Sequence, residues 1–125
     1  MDEIQAYVEA SEAKLDNAYP TPQSKGQAIY NHAQVLTSVG RYNESLEYFE
    51  QSFHVLKKSI SDSTYKRLFC LVGLHYATTL DYVGKYDKAG DVFSLIMEVD
   101  ATGVHIGDYA LFLHRRKRDF DKAQK

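Results

Sequence analysis

Apolar positions in this chain recur at steps of three and four and nowhere alternate in twos. That spacing matches the roughly 3.6 residues of an α-helical turn and predicts an all-α fold without strands. Near the start, Ile4, Val8, Ser11, Leu15 and Tyr19 share one face, with Glu9, Glu12 and Lys14 outside it. This predicts an N-terminal capping helix within 1–19. The two prolines, Pro20 and Pro22, mark 20–25 as a loop. Ile29, Ala33, Leu36 and Val39 then predict a helix over 26–39, and Leu46, Phe49, Phe53 and Leu56 predict one running to residue 60. Residues 64–83 are apolar nearly all round, the pattern of a helix buried on more than one side. Asp87 opens a further helix carrying Val92, Phe93, Ile96 and Val99, and a last one carries Tyr109, Ala110 and Leu113.

Between these helices a phrase recurs. Gly40-Arg41-Tyr42-Asn43-Glu44-Ser45 returns as Gly84-Lys85-Tyr86-Asp87-Lys88-Ala89, and more faintly as Arg118-Asp119-Phe120-Asp121-Lys122-Ala123. Glycine takes the left-handed conformation that closes a helix, and Asn43 is a candidate cap for the next one. A unit that repeats cannot bury its apolar face alone, so it stacks on its neighbours. The predicted units are 26–63, 64–103 and an incomplete third, 104–125.

The small and aromatic positions resemble the tetratricopeptide repeat family. Ile29, His32, Ala33 and Leu36 stand at that family's first-helix positions, and Ser45, Phe49 and Ser52 at its second-helix positions. Gly73, Tyr76, Ala77 and Leu80, then Ala89, Phe93 and Ile96, do the same in the second unit. Trp is missing from the pattern, and no proline closes either complete unit. Tyr42 and Tyr86 lie 44 residues apart, but Tyr86 and Phe120 lie 34 apart, which is the usual period of the family. The longer first unit is similar to the extended repeats of kinesin light chains, without their linker motifs.

The resemblance implies a right-handed superhelical solenoid of antiparallel helix hairpins. Ala33 and Ala77 would let paired helices approach, and Tyr42, Tyr86 and Phe120 would plug the space after each turn. It also implies a concave groove lined by the first helix of each unit, which receives a partner peptide or helix. Counting around those helices places Tyr30, Asn31 and Gln34 in the groove, then Leu74, His75, Thr78 and Tyr82, then His114 and Arg115. For Leu71 and Leu74 two readings stand side by side: an apolar anchor in the groove, or packing beneath the N-terminal helix or a missing repeat. A clamp for a C-terminal carboxylate is not expected, because the first two units place neither Lys nor Arg on that surface.

Composition changes this picture little. The net charge of −2 does not call for a nucleic-acid ligand. The one cysteine, Cys70, sits in an apolar run and reads as a small core residue, which fits a reducing compartment. The start, Met1-Asp2-Glu3-Ile4, has no basic flank or apolar run, so a cytoplasmic location is expected and no membrane span is. Phosphate loops, nucleophile elbows and metal-binding His pairs are missing from the sequence, so neither an enzyme nor a cofactor or metal is expected. His32 falls on a packing face and reads as a hydrogen-bonded core histidine. The basic run 114–118 suits a helix C-terminus or an acidic partner. Lys125 arrives where the third unit's second helix has barely begun. Either a longer protein continues the array, or a second copy covers the terminal helix and the chain is a homo-oligomerisation domain.

Overall fold

The computed structural model describes residues 2–17, 19–58 and 63–99. Five α-helices fill them: α1 Glu3–Ala13, α2 Pro22–Ser38, α3 Tyr42–Lys57, α4 Ser63–Tyr82 and α5 Tyr86–Val99. A 3-10 turn, Lys14–Asp16, extends α1. The all-α expectation holds for the described residues. The last helix of the sequence reading lies outside them, as do Phe120 and the whole 104–125 unit.

Local chemistry sets the ends. Asp2 caps α1, its carboxylate accepting the Gln5 N–H at 2.7 Å. Helix α2 begins at Pro22, inside the stretch expected to be a loop over 20–25. Thr21 and Ser24 form a capping box, each side chain accepting the other's backbone N–H, at 3.1 and 3.2 Å. The proline that looked like a separator is instead a helix starter. The first helical residue needs no N–H, and the ring presets its φ. The capping helix is likewise shorter than 1–19: it reaches Ala13 and its 3-10 turn ends at Asp16.

The repeated phrase becomes a repeated turn. Gly40 has φ +83° and Gly84 φ +90°, both in the left-handed region. At the first turn Arg41 N–H donates to Leu36 at 2.9 Å and Gly40 N–H to Thr37 at 3.1 Å. At the second, Lys85 N–H donates to Leu80 at 2.8 Å and Gly84 N–H to Asp81 at 3.1 Å. Both are Schellman closures, in which two otherwise orphaned carbonyls are satisfied. Turns this short reverse the chain, so α2–α3 and α4–α5 are helical hairpins. Asn43 does not cap α3: the helix already starts at Tyr42, which places Asn43 within its first turn.

Consecutive helices pack against one another from α2 to α5, and α2 also touches α4. The buried positions of the two hairpins correspond at the same 44-residue offset. Ala33 matches Ala77, Leu36 matches Leu80, Ser45 matches Ala89 and Phe49 matches Phe93, all at most 2% exposed. Each large apolar side chain buried this way contributes about 1.5–3 kcal/mol. Between the hairpins Phe53 stacks on Phe69 with ring centroids 4.3 Å apart. Gly73 lets these helices close up, since a Cβ there would lie 2.7 Å from Phe53 and 2.8 Å from Ile96. Ser52 donates to the Gly26 carbonyl at 2.7 Å, tying α3 back to α2. Cys70 is buried, as its neighbours suggested.

The turn tyrosines behave differently from expectation. Tyr86 is 39% exposed and does not plug its hairpin, and Tyr42 is only half-buried. Both stand at the first residue of their helices, at the rim rather than between them. Helix α1 is peripheral too. Val8 is its one buried residue, and Ile4, expected on the packing face, is 54% exposed.

Candidate functional site

Helices α2 and α4 supply the described part of the expected groove. The structure brings Tyr30, Gln34 and His75 together. The ring of Tyr30 meets His75 edge-on with centroids 5.6 Å apart, and Gln34 Nε2 donates to the Tyr30 hydroxyl at 2.8 Å. Tyr30 is not a groove-lining side chain in the sense expected, being only 4% exposed. Its ring also contacts Phe49 on α3, so it forms a floor beneath His75. Burial pushes the Tyr30 phenol up, against the opposing hydrogen bond from Gln34, and pulls the His75 imidazole down toward the neutral form.

Along α4, Leu71 is 41% exposed and Thr78 is exposed, its hydroxyl donating to the Leu74 carbonyl at 2.7 Å. Leu74 is half-buried and packs on the core with its lower side. Tyr82 is the most exposed of the described large apolar groups at 70%. Its ring lies 4.7 Å from that of Tyr42 on α3, and the hydrogen bond between the two hydroxyls pushes the Tyr42 phenol up. It therefore stands with the head of α3, apart from the Tyr30–His75 contact. His114 and Arg115 lie outside the described residues.

Asn31 does not join this group. It accepts from Gln27 at 2.9 Å and faces a cleft of about 260 Å³ between α1 and α2. Helix α1 and its extension line that cleft with Tyr7, Ala10, Ser11 and Lys14, and α2 with Ala28, Asn31 and Val35. The sequence reading missed these α1 residues because it searched only the helices expected to line the groove. The signal was present as the three-and-four spacing of Tyr7, Ala10 and Lys14. At the edge of the cleft Ser11 and His32 share a hydrogen bond of 2.8 Å, and the His32 ring meets Tyr48 edge-on at 4.5 Å. Burial pulls His32 below its ordinary range, with Glu12 and Glu44 opposing.

Among the described residues there is no cluster of three His, Cys, Asp or Glu side chains able to hold a metal ion. No described helix is long and apolar enough to cross a membrane. No protein-family model, curated protein or solved structure matches the chain. Along these two helices the described side chains are the His75 imidazole edge-on to the Tyr30 ring, the Gln34 amide, the Thr78 hydroxyl and an exposed Leu71.

Proposed function

We propose that the protein is a non-catalytic interaction module, a tetratricopeptide-like solenoid that holds a partner peptide or short helix along α2 and α4. The carrying observation is the Tyr30–His75 contact between the two hairpins, flanked by Leu71, Leu74 and Thr78 on one helix. Buried rings give such a surface a fixed shape, and a rigid surface loses little entropy when a partner docks. Leu71 and Leu74 serve as the apolar anchor and Gln34, His75 and Thr78 as polar guides, the pattern of helix-in-groove recognition. A partner protein, neither nucleic acid nor membrane, and a reducing cytoplasmic setting complete the reading, the latter in keeping with a single buried thiol.

A displayed library of random peptides selected on the purified protein tests this. The enriched peptide is titrated into the parent and into a Leu71→Ser, Thr78→Glu variant of unchanged helix content. The expected result is a loss of affinity of about tenfold or more. Equal binding by both proteins, or shifts in amide spectra confined to other helices, moves the site elsewhere.

A further inference from the structure

Helix α1 exposes Ile4 at 54% and Tyr7 at 53%, although Val8 beside them is buried. Along one flank of α1 runs an exposed stripe of Glu3, Tyr7, Ala10 and Lys14, spaced four, three and four, which is one face of a helix. Lys14 keeps helical geometry, with φ −67° and ψ −21°, so the stripe continues through the end of α1. Tyr7, Ala10 and Lys14 all line the cleft beside α2. Among the described residues neither Glu3 nor Lys14 is paired with an opposite charge.

The order of the stripe is self-complementary under a two-fold axis. Laid antiparallel on its own copy, with the axis between Val8 and Glu9 in register, Glu3 falls opposite Lys14 and Tyr7 opposite Ala10. Acid thus meets base at both ends, and between them the large Tyr7 meets the small Ala10. An isologous dimer demands that one patch complement itself. A patch built for an unrelated partner has no reason to satisfy these pairings together.

We propose that α1 is a homodimerisation face, pairing antiparallel with α1 of a second copy so that Tyr7 of each lies against Ala10 of the other. The surface is narrow beside the roughly 1,200–2,000 Å² of a stable complex, so the dimer is weak and forms at high protein concentration. Its end pairs are solvent-exposed, so salt weakens it. It is independent of the proposed α2–α4 partner site and uses the opposite end of the chain from the terminal helix discussed above.

Sedimentation equilibrium of the full chain over micromolar to millimolar concentrations at low salt is the test. The weight-average mass is expected to rise from 14.3 kDa toward twice that value. Lys14→Glu and Glu3→Lys, each checked for unchanged helix content, are expected to weaken association about tenfold, since each puts like charges together twice per dimer. The double variant with both changes restores the pairs and is expected to recover the parent's association. A monomer at every concentration overturns the proposal. So does a dimer indifferent to both single changes, which would place the interface on another helix, and so does a double variant no better than the singles.

Discussion

The Ser11 hydroxyl lies 2.8 Å from Nδ1 of His32, joining a half-exposed residue of α1 to a side chain only 2% exposed on α2. Arg41 adds a second tie, donating to Gln5 Oε1 at 2.9 Å. With Val8, these polar links hold a helix that buries little else. The attachment of α1 therefore combines one buried apolar side chain with two polar ties, one of them to an imidazole.

The first prediction is pH dependence. Burial lowers the folded pKa of both His32 and His75 beneath their ordinary value of 6.5. The unfolded chain then binds protons that the folded chain refuses, so stability is full above pH 6.5 and falls as pH drops below it. Thermal melts are expected to give a lower midpoint at pH 5 than at pH 7.5. His32→Gln keeps an acceptor for Ser11 without titrating and is expected to flatten part of that slope. An unchanged slope would assign the effect to His75 alone.

Gly73→Ala is the second. The added methyl meets the Phe53 ring and Ile96 at 2.7–2.8 Å, between helices already in contact. Overpacking of this kind costs about 1–3 kcal/mol. Urea denaturation is expected to show a lower midpoint with an unchanged slope.

Gly40→Ala and Gly84→Ala test the turns separately from packing. No atom lies within 4 Å of a Cβ built at either glycine, so the whole cost comes from positive φ. About 1–2 kcal/mol is expected for each, and Asn in place of Ala should recover part of it. Similar losses at the two sites would show that the repeated turns are energetically alike.

Ala77→Leu probes the second hairpin. Ala77 is fully buried in the cluster that also holds Leu80, Ala89 and Phe93. An isobutyl group there is expected to force α4 and its neighbours apart at about 1–3 kcal/mol. A variant melting like the parent would show that α4 tolerates a register other than the one described.

The repeat, the turns and the small buried residues were legible because each depends on local chemistry. Glycine at positive φ is a property of one residue, and Ala33 and Ala77 stand out against apolar neighbours. The site was less legible. Counting around α2 put Tyr30 and Asn31 on one surface, but they part company: the first lies under His75, the second faces the α1 cleft. A helical count fixes direction and says nothing of what arrives from outside. The caps were misjudged for a related reason. Pro20 and Pro22 look alike in a string, yet only the backbone around Thr21 makes Pro22 the first residue of α2.

By itself, the sequence determined that the described residues are helical, where the two described hairpins turn and which small residues lie buried in them, since periodicity and glycine placement act within a few residues. Only the tertiary structure decided that α1 is held by one buried valine, a serine–histidine bond and an arginine–glutamine bond, and that the Tyr30 ring is a floor. Those outcomes depend on which surfaces meet across dozens of residues, and burial is a property of the meeting.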